Sequence, residues 1–304
     1  MGLMGLSLGL LLGACAAGEP AEAPGSPSPA PPCSGAFEYH QHQIFVPAAV
    51  GGVPVGAALI DTGANACALD RALAVRLGLG PGRPSTVHGT AGSVAAETVE
   101  LGSLSVFGAE VRGVETTVYD LGHGATPSGE PLGLIIGTPF LERFAVEVDY
   151  AARQLTLHRS PVSCERSAPM ELDDGIPLVH LALNGGAPTP FRIDTGASLF
   201  DTDEVYLNIT RAVADDLHRA GQDPRPVQTF SGTGVGGPVT LPVLQLASAA
   251  LAGRALARPF AITQPAAGIF ADPATPGFIA NYTLDAFGRI VLDYLDGTLD
   301  LPEP

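Results

Sequence analysis

Two aspartates stand in the same five-residue setting. Ile60-Asp61-Thr62-Gly63-Ala64 and Ile193-Asp194-Thr195-Gly196-Ala197 both read IDTGA, 133 residues apart. An Asp at the end of an apolar strand is costly to bury unless it is hydrogen-bonded or protonated. The residues that follow offer a way to hold it. Gly63 and Gly196 allow a sharp bend that brings backbone N–H groups to the carboxylate. Thr62 and Thr195 offer hydroxyls that can bond to backbone across an interface. If the two copies meet about a twofold axis, carboxylates about 4 Å apart repel by roughly 4 kcal/mol at an effective dielectric of about 20. Such a pair shares one proton over a wide pH range. One member is then a base that takes a proton from a bound water, and the other an acid that protonates a carbonyl oxygen. That chemistry hydrolyses an amide with neither a metal nor a covalent intermediate, and no cofactor is called for.

The elements that must deliver these residues also occur twice. Ile44–Ala64 and Ile176–Ala197 each read as a strand, a Gly-Gly turn (Gly51-Gly52, Gly185-Gly186), a second strand and the acidic turn. Gly133–Leu157 and Gly277–Leu301 each hold an apolar run, a short helical piece ending at Phe144 or Phe287, and two strands. Between them lie two Gly/Thr segments, TVHGTAGSV (Thr86–Val94) and TFSGTGVGG (Thr229–Gly237). Three blocks matching in the same order indicate a duplicated fold. Apolar residues four apart at Val205, Ile209, Val213 and Leu217, ending at Gly221, predict one long helix in the second half, with DRALAVRLGLG as its shorter counterpart.

With these blocks the chain resembles a pepsin/retropepsin-like aspartic peptidase, of a bacterial kind with two retropepsin-like lobes in one chain. The resemblance rests on both Asp-Thr-Gly-Ala turns and on Ile135-Ile136-Gly137, and it covers about residues 37 to 304. It implies an all-β fold of two pseudo-twofold-related lobes with short helices and an active-site cleft between them. The implied domains are 37–160 and 161–304. The implied activity is that of an aspartic endopeptidase with Asp61 and Asp194 as the catalytic pair, acting on peptide or protein substrates. An apolar-apolar-Gly segment supports each Asp loop in the family, which assigns that role to Gly137. In the second half the triplet reads Phe278-Ile279-Ala280, and the extra methyl of Ala280 is expected to crowd the second loop. The family's interlocking threonines map to Thr62 and Thr195. Its flaps map to His88, Gly89 and Thr90 in one half and to Phe230, Gly232 and Thr233 in the other. Neither flap segment holds the Tyr of pepsin-like enzymes, which leaves His88 or Phe230 to cover the substrate. The alternative is an inactive protein of the same fold that binds peptides or envelope components.

The remaining features bound the setting. The chain has 304 residues, 46% apolar and 15% charged, enough for two medium domains. Its 38 Gly and 28 Pro suit short strands joined by tight turns. A net charge of −16, with no basic stripe, argues against nucleic acid as a partner. Residues 1–15 read as a signal ending in Leu12-Gly13-Ala14-Cys15, which resembles a lipoprotein signal; an ordinary secretory peptide is the other reading. Lipid at Cys15 would be the chain's contact with a membrane, in the cell envelope. Residues 16–36 read as a Pro-rich tether. Cys33 and Cys164 hold nearly equivalent places ahead of the two acidic turns, so they are either a disulfide staple or two free thiols, and Cys67 reads as a small core residue. His40 and His42 lack a third ligand for a metal and read as solvated, as does Glu171–Asp174. Asn208 and Asn281 match glycosylation sequons only by pattern. With both acidic turns in one chain, a monomer is expected.

Overall fold

The computed structural model describes residues 31–122, 126–162, 167–200, 202–222, 225–235 and 237–301. Three β-sheets dominate it. An eight-stranded sheet is built from strands between Glu38 and Ile136, and a second, larger sheet from strands between Glu171 and Ile279. The third sheet has six strands, three from each half of the sequence. At its centre Ala145–Asp149 runs antiparallel to Arg289–Asp293, with Glu147 opposite Val291. Among the described residues no helix is long and apolar enough to cross a membrane.

The two hairpins that end in aspartate form as their turn residues dictate. Gln43–Val50 pairs with Val53–Ile60 around Gly51 and Gly52, whose φ values of 56° and 77° fit a two-residue hairpin turn. Ile176–Leu183 pairs with Pro188–Ile193 around Asn184 and Gly185, at φ 49° and 71°. Each second arm then lies parallel to a short apolar strand. Leu59 and Ile60 face Ile135 and Ile136, and Arg192 and Ile193 face Phe278 and Ile279. Both short strands are central, and Ile60, Ile136, Ile193 and Ile279 are all buried. Complete burial of such a side chain is worth about 1.5–3 kcal/mol, so two of them tie each acidic turn firmly to its sheet.

The long helix expected from Val205 to Leu217 is instead a strand followed by a helix. Tyr206–Ile209 is a strand buried on both faces, parallel to Phe260–Thr263. Thr210 caps Arg211–Arg219 by accepting a hydrogen bond from Val213 N. The first half repeats this, with Cys67–Asp70 as the strand and Asp70 capping Arg71–Arg76. A spacing of four had bridged the cap, and a strand with two buried faces carries no alternation to reveal itself.

The expected tether is shorter than 16–36. Cys33–Ala36 is a strand of the shared sheet, paired with Gln154–Leu157. Ser167–Pro169 does the same for the second half, against Thr298–Asp300. Cys33 carries a free thiol, and its expected partner Cys164 lies outside the described residues, as does Cys15. Cys67 is fully buried, and its Sγ accepts a hydrogen bond from Gly137 N. His40 is exposed as expected, but His42 is not solvated: positive φ at Gln41 and His42 turns its ring in between Tyr39 and Tyr282. Asn208 and Asn281 are buried and hydrogen-bonded to neighbouring protein groups, so neither is placed to receive a glycan.

Candidate active site

Asp61 and Asp194 meet at the base of a cavity of about 710 Å³. The two backbones arrive in matched fashion: Asp61 N donates to Ile136 O at 3.0 Å and Asp194 N to Ile279 O at 2.9 Å. The carboxyls lie close enough for each to bear on the other's protonation. Gly63 N donates to Asp61 Oδ1 at 2.9 Å, while Gly196 N and Ala197 N donate to Asp194 Oδ1 at 3.1 and 3.0 Å.

Thr62 and Thr195 lock the two turns together. Thr62 N donates to Thr195 Oγ1 and Thr195 N to Thr62 Oγ1, both at 3.1 Å. The hydroxyls donate onward, Thr62 to Ile193 O at 2.6 Å and Thr195 to Ile60 O at 2.9 Å. Each threonine therefore bonds to the strand that delivers the other aspartate. The glycines have a second reason to be glycine. A Cβ on Gly63 would lie 2.5 Å from Asp194 Cγ, and one on Gly196 would collide with the Asp61 carboxyl. The sequence suggested the bend; it could not show that each glycine makes room for the opposite aspartate.

Burial pushes both carboxyls above the usual carboxylate range, Asp61 well above it. The charge of Asp194 raises Asp61 further, and backbone donors offset part of the effect at each. Arg192 also favours the charged form of Asp194. It lines the cavity and is held by Asp173, with Nε 2.8 Å and Nη2 2.6 Å from the same oxygen. The acidic cluster Glu171–Asp174 is thus more than a solvated face, since Asp174 lines the cavity and accepts from Asn65 Nδ2. With both carboxyls raised and close together, the pair favours holding one proton between them.

The support is unequal. A Cβ on Gly137 would stand 2.5 Å from both Ala64 O and Ala66 O, so only glycine permits that approach. Ala280 does not crowd the second loop as expected. Its methyl is fully buried in a cluster with Tyr206, Val243, Ile262 and Tyr282, and the bond from Asp194 N to Ile279 O is intact.

Two hairpins roof the cavity. Arg83–Gly89 with Gly92–Val106 carries His88, Gly89 and Thr90 into the lining, and His88 Nδ1 lies 2.8 Å from Ser93 Oγ. Arg225–Gly234 with Gly237–Gln245 contributes Val235. The expected cover from Phe230, Gly232 and Thr233 is not found among the lining residues. Phe230 packs edge-on against Phe200, with ring centroids 5.0 Å apart, because its neighbours on that face are aromatic. The hairpin tips touch, with Ala91 N donating to Val235 O at 2.9 Å. Sequence reading missed the wall made by Gly268–Ala271, a 3-10 turn pressed against Gly89 and Thr90. Gly268 needs both its positive φ of 56° and its bare Cα to fit there. Phe270 of that turn stacks on Phe278 at 6.1 Å. The apolar GIFA stretch was the available signal, but nothing in it announces a cavity wall.

Residues 46–140 match the family described as Aspartyl protease. No curated protein matches the chain. Among solved structures it is similar to a retropepsin-like aspartic protease from Rickettsia conorii, at 22% identity and a TM-score of 0.31, over 42% of this chain and 90% of that one. The match to the aspartyl protease family spans the first acidic turn at Asp61 and its support at Gly137.

Proposed function

We propose that the protein is an aspartic endopeptidase in which Asp61 and Asp194 act together on a water molecule. The observation that carries this reading is the pair of buried, mutually interacting carboxyls, brought together by the threonine lock in the lining of a cavity of about 710 Å³. Asp194, with two backbone donors and Arg192 nearby, takes a proton from the water. The water oxygen bonds to the scissile carbonyl carbon while Asp61 gives its proton to the carbonyl oxygen. The C–N bond then breaks as the leaving nitrogen accepts the proton held by Asp194, and the gem-diol returns its proton to Asp61. The threonine lock keeps the carboxyls in register through this cycle, so little reorganisation is required at the moment of reaction.

The test is incubation of the chain from about residue 31 with a diverse peptide mixture between about pH 3 and about pH 7, read by mass spectrometry. In oxygen-18 water the new carboxyl should carry one labelled oxygen per cut. An Asp194→Asn variant that cuts at the wild-type rate would sink the mechanism.

A second reading, a peptide-binding protein without turnover, draws on the roof, where Ala91 and Val235 already bond tip to tip. It predicts tight peptide retention with no new termini in the same experiment. Both readings have the chain working as a monomer, with both aspartates from one polypeptide, and reaching the cell envelope through lipid at Cys15.

A further inference from the structure

The loop around Asp61 is braced by its own half. Gly137 abuts its carbonyls, and Thr138 N donates to Ala64 O at 2.9 Å. Around Asp194 the carbonyls are taken by side chains. Asn281 is fully buried, and its Nδ2 donates to Thr195 O at 2.9 Å and to His42 O at 2.7 Å. Its Oδ1 accepts from Tyr150 Oη at 2.9 Å. Gln43 Nε2 donates to Gly196 O at 2.5 Å. Gln41, His42, Gln43 and Tyr150 all belong to the first half of the sequence.

The choice of carbonyls is telling. Thr195 C=O and Gly196 N–H belong to one planar peptide unit, and Gly196 C=O and Ala197 N–H to the next. Those two N–H groups are the donors to Asp194 Oδ1. Each side-chain amide therefore grips the oxygen of a peptide plane whose N–H points at the carboxylate. Fixing the oxygen fixes the plane, and hydrogen bonding at the carbonyl polarises the N–H it is conjugated with.

We infer that Gln43 and Asn281 are positioning residues that clamp the two peptide planes feeding Asp194, taking the place of the backbone brace that Gly137 gives Asp61. Gln43 reaches across from the half that carries Asp61, and Asn281, from the half that carries Asp194, is itself held by His42 O and Tyr150 Oη of the other half. This inference rests on the dyad reading above.

The experiment is a carbon-13 NMR titration of the aspartate carboxyls in wild type, Gln43→Leu and Asn281→Leu, with the Asp194 signal assigned by Asp194→Asn. Gln43 is half-buried, so its variant keeps the test open should Asn281→Leu fail to fold. Loosened donors should raise the titration midpoint of Asp194 by about half a pH unit or more in each folded variant. On peptide substrate, kcat should fall by about tenfold with KM little changed. Midpoints of both carboxyls within about 0.2 pH units of wild type in Gln43→Leu would overturn the clamp. The titration needs no turnover: a wild-type chain that cuts nothing tells against the peptidase reading, and the Asp194 midpoint still decides on the clamp.

Discussion

The loops around Asp61 and Asp194 share a sequence and a backbone pairing, yet they are held by different means. The first is closed by glycine and backbone contact, with Gly137 pressed on Ala64 and Ala66. The second accepts a methyl at Ala280 and is closed by amides from Asn281 and Gln43. Backbone bracing depends on the absence of atoms, and side-chain bracing on their presence. Equivalent substitutions should therefore do unequal damage in the two halves, while the shared threonines should behave alike.

The largest expected effect tests what the halves have in common. Asp61→Asn and Asp194→Asn should each lower peptide cleavage by at least about 100-fold, since acid and base work as one unit. Mass-spectrometric cleavage rates check this, and one aspartate proving dispensable would break the symmetry at its root. Next comes the contrast of supports. Gly137→Ala drives a methyl into two backbone oxygens and should cost about 2–3 kcal/mol, whereas Ala280→Gly should cost about 1 kcal/mol. Denaturant unfolding of the pair measures the difference, and equal losses would mean the loops are braced alike. Thr62→Val and Thr195→Val each leave a buried N–H without its acceptor, at about 1–3 kcal/mol, and should agree closely with one another.

The smallest effect concerns pH. A raised carboxyl keeps its proton in the folded chain after the unfolded chain has lost it. The associated stability is complete below the ordinary value of 3.8 and is lost as pH climbs through the raised value. Asp61→Asn removes that penalty, so its Tm relative to wild type should rise between about pH 3 and about pH 7. A flat difference would show that Asp61 does not hold the extra proton.

Much of this was legible in the sequence because it was written twice. Both acidic hairpins, their apolar supports and the first Gly/Thr hairpin follow from repeated blocks and turn residues. The second Gly/Thr segment forms a hairpin, but its residue in the cavity lining is Val235, because the aromatic neighbours of Phe230 claim that ring. The strand Tyr206–Ile209 hid inside a helical spacing, since complete burial removes the alternation that marks a strand. Strands Cys33–Ala36 and Ser167–Pro169 are too short and too polar to declare themselves, and only their partners make them strands. The clamp was invisible for another reason. Gln43 and Asn281 lie far apart in sequence, and no local pattern tells that both reach the same two peptide planes.

The six-stranded sheet has a consequence for how the molecule survives dilution. Its central seam, Ala145–Asp149 against Arg289–Asp293, joins edges that in two separate polypeptides would have to find each other by collision. Here the linker makes that encounter intramolecular, at an effective concentration on the order of millimolar however thin the solution becomes. A chain cut between the halves would regain concentration dependence, and its activity would fall with the square of the amount present at low dose.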